Sequence, residues 1–286
     1  MPPSPTAPHR IASSDGVTLA LHDLGGDGPP VLFCHPTGFL GMIWAPVAAH
    51  LAGLAHGWAP DFRGHGDSTS PASMDFAWRG MADDVLAVVD YLCLSDVRAV
   101  GHSMGGAALV LSEQRRPGTF SRLYLYEPIL FPRAEGLPGS GGRNPMAEAA
   151  RRRRPWFPDR DTAYANFAAK PPLGAFDPES LRAYVDHGFR ELRDGESVEL
   201  KCAPEVEALV FEQAVAPTAF DRLGDVRTPV TVAAGGDGDG PAQVAPLVAD
   251  ALANGRLERY AHLSHFGPME DPAGIAAAIG TALDLG

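Results

Sequence analysis

Cysteine is scarce in this sequence. Cys34, Cys93 and Cys202 are the only three in 286 residues, far apart and without paired spacing. That argues against a disulfide scaffold, and predicts buried free thiols in a reducing compartment and no metal site. Basic charge is also short: 23 Lys and Arg against 35 Asp and Glu give a net charge of −12. Such a balance disfavours a nucleic-acid or anionic-membrane partner. The one basic cluster, Arg151 to Arg154, is four residues long and reads as a solvated helix face. No apolar run is long enough to span a bilayer, and the Pro-rich residues 1–8 lack the charged start and apolar run of a signal peptide. No internal repeat is visible. A cytoplasmic protein is the expectation. What the chain does have is apolar bulk, 45% of residues, enough for one large core carrying an insertion, or for two domains.

Apolar runs and turns alternate along the chain. Residues 9–12 and 17–23 read as strands joined by the hairpin turn Ser14-Asp15-Gly16. Val31-Leu32-Phe33-Cys34 is continuously apolar, as in a strand covered on both faces, and leads into His35-Pro36-Thr37-Gly38-Phe39. A helical pattern over 44–54, a short strand over 54–60 and an amphipathic helix over 78–92 follow. Further strands are predicted at 97–100 and 123–126, with a helix between them that ends near Arg115-Arg116-Pro117-Gly118. The alternation implies a parallel sheet with helices on both faces.

The rhythm then breaks. Residues 128–228 contain no convincing buried strand. They hold a Gly/Pro loop at 136–145 and helical patterns near 146–153, 162–168, 178–193 and 204–214. This segment reads as a helical cap inserted over the carboxyl edge of the sheet, where open α/β sheets bind ligands. Residues 1–127 and 229–286 then form the core, resuming with a strand at 228–234, a helix at 241–253, a strand at 257–261 and a helix at 272–283.

The most informative stretch is Ala99-Val100-Gly101-His102-Ser103-Met104-Gly105-Gly106-Ala107, a strand, a tight turn and a helix with a serine at the apex. A serine there has a strained backbone and an exposed hydroxyl. Gly101 and Gly105 flank it because strand and helix approach too closely for a Cβ. The Met104 N–H, at the helix start, points toward whatever Ser103 attacks.

A serine hydroxyl needs a base, and the base needs an orienting acid. The base is expected in Ser264-His265-Phe266-Gly267-Pro268, after the last strand. His265 fits better than His262, which lies closer to the strand end. Three acids remain open. Asp239 is the first choice and Asp237 shares its loop, Gly235-Gly236-Asp237-Gly238-Asp239-Gly240, while Glu127 ends the strand before the insertion. A second oxyanion donor is expected from the Thr37 N–H, with His35 bracing that loop. Phe39, Met42 and Trp44 lie near the turn; Trp156, Phe157, Phe167, Phe176, Phe189 and Phe211 lie in the insertion. Of these, Phe39 and Trp156, together with Phe266, are the expected substrate contacts, although single aromatics in such positions commonly serve as packing.

Four motifs together resemble the α/β-hydrolase fold superfamily: Gly-His-Ser-Met-Gly-Gly (101–106), Asp-Phe-Arg-Gly-His-Gly-Asp-Ser (61–68), His-Pro-Thr-Gly-Phe (35–39) and Ser-His-Phe-Gly-Pro-Met-Glu-Asp-Pro (264–272). The resemblance implies an eight-stranded, mostly parallel sheet, a cap, and nucleophile, acid and histidine in that chain order. Carried onto these positions it gives Ser103, Asp239 and His265, with Thr37 and Met104 as oxyanion donors and no cofactor. Two departures stand out: His-Pro-Thr-Gly replaces the family's frequent His-Gly-x-x, and the aspartate loop is unusually glycine-rich, which keeps Glu127 open. Arg63 and His65 match a motif that is usually structural. Members that open epoxides or cleave carbon–halogen bonds use an aspartate nucleophile, whereas a serine suits acyl transfer. The expected activity is therefore hydrolysis of a small to medium, largely apolar carboxylic ester or related acyl compound. The same residues would serve a thioesterase, a lactonase, a C–C bond hydrolase or a biosynthetic cyclase or lyase. A non-hydrolytic ligand-binding protein and a cofactor-independent oxygenase or perhydrolase are the competing classes.

Overall fold

A computed structural model describes residues 7–132, 144–192, 195, 197–214, 219–236 and 240–286. In chain order the regular elements begin with β1 (His9–Ala12), β2 (Thr18–Gly25), β3 (Pro30–Cys34), α1 (Ala45–Leu51), β4 (His56–Asp61) and α2 (Trp78–Tyr91). Next come β5 (Val97–His102), α3 (Met104–Arg115) and β6 (Phe120–Tyr126). The inserted segment holds α4 (Pro145–Arg151), β7 (Trp156–Phe157), α5 (Arg160–Ala168), α6 (Pro178–Gly188), β8 (Phe189–Glu191), β9 (Val198–Leu200) and α7 (Pro204–Glu212). The chain closes with β10 (Val230–Ala234), α8 (Pro241–Ala251), β11 (Gly255–Arg259), α9 (Gly267–Glu270) and α10 (Pro272–Ala282).

Eight strands form one sheet in the order β1-β2-β4-β3-β5-β6-β10-β11. β2 runs antiparallel to both neighbours, and the remaining adjacent pairs are parallel. The alternation of side chains along β3 explains why the run had to be apolar throughout. Leu32 and Cys34 join a cluster with α2, α3 and α8 on one face, while Val31 and Phe33 join α1 and α10 on the other. Helix α2 turns Met81, Val85, Val88 and Val89 into the first of these clusters, at the helical spacing its sequence carries.

Three details depart from the sequence reading. The inserted segment is not purely helical: β7, β9 and β8 form a small antiparallel sheet in that order. Strands of two and three residues are too short to show a period, and their pairing is made between residues distant in the chain. Helix α6 stops at Gly188 rather than Arg193 because the next residues pair in β8. Cys93 is exposed, unlike Cys34 and Cys202, because it sits in the turn that ends α2 at a positive φ of 50°. Most of the expected loop at 136–145 lies outside the described residues. Among the described residues no helix is long and apolar enough to cross a membrane.

Three buried histidines stand at the carboxyl edge of the sheet. His35 Nδ1 meets the Pro36 carbonyl at 2.8 Å, and its Nε2 accepts the Phe62 N–H at 3.0 Å. His65 Nδ1 meets the Arg63 carbonyl at 3.0 Å, and its Nε2 accepts the Gly38 N–H at 3.1 Å. Both partner sets require a neutral ring protonated on Nδ1. Beneath them Arg63 is buried in a bidentate pair with Asp84 and also reaches Asp15 and Ser14, a bracing role. Burial and then the neighbouring His65 hold His35 down to about 3, and burial also lowers His65. His102, the last residue of β5, is held well below its ordinary value by burial and then by His265.

Two measurements test this architecture. The unfolded chain protonates His35 near the ordinary 6.5 whereas the folded chain resists down to about 3, so the unfolded state binds more protons in that window, and the lowered His65 and His102 act in the same direction. Stability therefore falls as pH drops below about 6.5, by about 1.4 kcal/mol at pH 5.5 from His35 alone. Calorimetric Tm is expected to be several degrees lower at pH 5.5 than at pH 7.5; a flat profile contradicts the neutral-ring reading. Separately, a Cβ on Gly105 would lie 2.2 Å from the Cys34 carbonyl oxygen, while one on Gly53 meets nothing within 4 Å. Gly105→Ala is expected to cost about 3 kcal/mol in denaturant melts and Gly53→Ala less than about 0.5 kcal/mol.

Candidate active site

Ser103 caps α3 with φ 55° and ψ −116°, a conformation that costs about 1–3 kcal/mol for a residue with a Cβ. The glycines around it explain how the turn closes. A Cβ on Gly101 would lie 2.6 Å from the Gly106 Cα, and one on Gly106 would lie 2.9 Å from the Pro128 Cβ. The serine's backbone is locked from both sides: its N–H donates to the Tyr126 carbonyl at 3.0 Å, and its carbonyl accepts from Ala107 at 3.2 Å and Ile129 at 3.2 Å.

Those bonds bracket Glu127. This residue also has a positive φ, 43°, and its N–H donates to the Ala233 carbonyl at 2.8 Å. Its side chain is nearly fully buried and uses both oxygens. Oε1 accepts the Gly235 N–H at 2.8 Å, and Oε2 lies 2.6 Å from His265 Nδ1. The carboxylate thereby requires Nδ1 to carry the proton, leaving Nε2 with a lone pair. Glu127, the second choice after Asp239, is the carboxylate that contacts His265 Nδ1 among the described residues. Asp237 and Asp239 lie outside the described residues.

His265 is carried by a tightly bonded loop. Tyr126 Oη donates to the Ser264 carbonyl at 2.8 Å, the Gly267 N–H to the same carbonyl at 3.0 Å, and the Ser264 N–H to Glu270 at 2.8 Å. The imidazole packs 4.8 Å from the ring of His102, the residue before Ser103, and 5.2 Å from Phe266. No hydrogen bond joins Ser103 Oγ to His265 Nε2 among the described residues; such contacts commonly tighten only when substrate is bound. His102 is buried with neither ring nitrogen partnered among the described residues. His262 is exposed and lies 3.9 Å from Asp271, so it is not drawn toward Ser103.

Thr37 and Met104 are both buried, and the Thr37 hydroxyl reaches Met104 Sδ at 3.3 Å. Among the described residues neither backbone N–H has an acceptor within the protein. Buried N–H groups without a partner are rare, which sets these two apart from the rest of the backbone. The expected aromatic contacts divide. Phe39 and Phe266 lie 5.9 Å apart and both pack on Phe176, forming an apolar wall beside His265. Trp156 is 53% exposed under the Arg154 guanidinium, because alternation along β7 turns Phe157 inward and Trp156 out.

The sequence reading missed the charged residues of the inserted segment that close over this turn. Gly38 follows Thr37 with φ +80°, and a Cβ there would lie 2.6 Å from Glu207 Oε1 and 3.4 Å from Arg153 Nη1. Nothing in helix α7 or in a run of four arginines signals which member turns inward. A second cluster, His22, Asp61 and Asp67, offers ligand atoms within 4.8 Å of one another. Its carboxylates are already committed. Asp61 accepts from Gly41 N at 2.7 Å, Asp67 N at 2.8 Å and His22 at 3.0 Å, and Asp67 pairs with Lys201 at 2.8 Å. A cation there would have to displace Lys201.

Comparison with known proteins agrees with this geometry. A match to the alpha/beta hydrolase family runs over residues 31–278. A probable protein phosphatase methylesterase 1 of Caenorhabditis elegans is 35% identical over 35% of this chain and 29% of its own length. A 2-hydroxy-6-oxo-2,4-heptadienoate hydrolase of Pseudomonas putida is 28% identical over 52% of this chain and 55% of its own. The chain therefore spans about a third to a half of the length of these curated relatives. A solved E-2-(acetamidomethylene)succinate hydrolase superposes with a TM-score of 0.79 at 19% identity, covering 97% of this chain and 98% of that one. With the eight-stranded sheet, the serine turn and a match over most of its length, the chain belongs to the alpha/beta hydrolase family.

Proposed function

We propose that this protein is a hydrolase that acts on a small carboxylic ester or related acyl compound through an acyl-enzyme on Ser103. The observation that carries the reading is the 2.6 Å contact from Glu127 to His265 Nδ1, which leaves Nε2 as a base on the loop facing the strained serine turn. His265 Nε2 removes the Ser103 proton as Oγ attacks the substrate carbonyl. The Thr37 and Met104 N–H groups hold the resulting oxyanion, each worth about 3 kcal/mol of barrier. Glu127 stabilises the imidazolium, which returns its proton to the departing alcohol. Water then repeats the cycle: His265 takes its proton, hydroxide attacks the acyl carbon, and Ser103 leaves with the proton. Neither a metal nor an organic cofactor enters these steps. Residues 128–228 act as a cap in this reading. Its support is the set of contacts the segment makes with the carboxyl-edge loops, such as Lys201 to Asp67 at 2.8 Å and Phe39 to Tyr184 at 5.0 Å.

A fluorophosphonate probe with 4-nitrophenyl butyrate as reporter tests the chemistry. Wild-type protein is expected to label and to turn over, and Ser103→Ala to lose labelling and at least about a thousandfold in kcat. An unlabelled wild type would favour a ligand-binding protein instead. For the acid, Glu127→Gln is expected to lower kcat about a thousandfold or more, and Asp239→Asn less than about threefold. The reverse order would return the role to the glycine-rich loop.

A further inference from the structure

The run Arg151 to Arg154 reads from sequence as a solvated face, and three of its members behave that way. Arg151 pairs outward with Glu205 and Glu212, Arg152 is 71% exposed, and Arg154 lies over Trp156. Arg153 departs from them. Its side chain is 23% exposed and turns down onto the oxyanion turn, with Nη1 3.4 Å from the position a Cβ on Gly38 would take. Glu207 Oε1 comes closer still, 2.6 Å from that position, so glycine at 38 admits the Arg153–Glu207 pair one residue from Thr37.

Nη1 donates to Glu207 Oε2 and Nη2 to Tyr184 Oη, which fixes the plane of the guanidinium. A guanidinium has five N–H donors. The other three have no acceptor among the described residues. A neutral, largely apolar substrate would leave those donors desolvated and unmet, at a cost larger than the pairing with Glu207 offsets. A planar carboxylate meets them bidentately, and a ring already held by Glu207 and Tyr184 loses little rotamer freedom on binding it.

We propose that Arg153 is a specificity-determining residue which binds a carboxylate on the substrate's acyl portion, a few atoms from the scissile carbonyl. The natural substrate is then a half-ester or half-amide of a short diacid, or another acyl compound bearing an anionic group. The apolar wall of Phe39, Phe176 and Phe266 covers the carbon chain between the two ends. This inference rests on the serine-hydrolase reading for the position of the reacting carbonyl, and it narrows the apolar substrate expected from composition alone.

The experiment compares kcat/KM for 4-nitrophenyl hydrogen glutarate and for 4-nitrophenyl valerate, esters matched in chain length. Wild-type protein is expected to favour the glutarate ester at least tenfold. Arg153→Met combined with Glu207→Gln removes both charges, so neither is left buried alone, and is expected to lower that ratio tenfold or more. Arg153→Lys, which keeps the charge but not the fork, is expected to fall between, and it decides the matter if the double variant melts below assay temperature. Wild-type preference for valerate, or a ratio untouched by these substitutions, overturns the proposal. Calorimetric titration of Ser103→Ala protein with free glutarate separates the two readings. Arg153-dependent glutarate binding, when wild-type protein hydrolyses neither ester, supports the carboxylate subsite and removes the serine-hydrolase reading. Hydrolysis of both esters with no glutarate binding does the reverse.

Discussion

The close approach of the β5–α3 turn to the end of β3 is the constraint on which the rest of the structure depends. A methyl group at Gly105 would nearly coincide with the Cys34 carbonyl oxygen, 2.2 Å away, and one at Gly101 would meet Gly106 at 2.6 Å. Only a chain without side chains at these points can fold back from strand to helix so sharply. The left-handed backbone at Ser103 is the result of that fold-back, and the packing around it sustains the strain. The same squeeze brings the start of α3 beside the loop after β3, where the Thr37 hydroxyl reaches Met104 Sδ at 3.3 Å.

The second consequence concerns how the three side chains are held relative to one another. Ser103 and Glu127 come from adjacent parallel strands, and their loops are bonded directly: Ser103 N–H to Tyr126 and Ile129 N–H to Ser103. Ser103 and Glu127 are thus held to one another by backbone bonds. His265 arrives from a distant part of the chain, and its loop is tied to them by Tyr126 Oη and, through Glu127, by its own Nδ1. An acid on β6 has a geometric advantage over one after β10, because it needs no further loop to be ordered before the imidazole is oriented. Gly235, at the start of the glycine-rich loop, is drawn in as a donor to Glu127.

How much of this was legible in the sequence depended on how local the cause was. The centre of the sheet could be read because a strand that buries both faces is apolar without interruption, as in Val31 to Cys34. The serine turn could be read because its glycines are adjacent in the chain. The small sheet of the inserted segment could not, since Trp156–Phe157 is two residues long and pairs with Val198–Leu200 some forty positions on. Trp156 illustrates a finer failure: its neighbour Phe157 is the buried one, and a dipeptide carries no phase. Glu127 against Asp239 was undecidable for a related reason, because both end or follow strands flanking the same histidine. The contact that Glu127 makes with His265 Nδ1 comes from the fold and from no local pattern.

Arg153 marks the point where composition misleads. An acidic chain with a lone basic run invites a solvated reading, and for Arg151, Arg152 and Arg154 that reading holds. Burying the fourth guanidinium is costly unless it is paired, and Glu207 supplies the pair at the junction with the oxyanion turn. The carboxylate subsite proposed for Arg153 would use its remaining donors, which gives a partly buried guanidinium at this junction a role beyond joining segment to core.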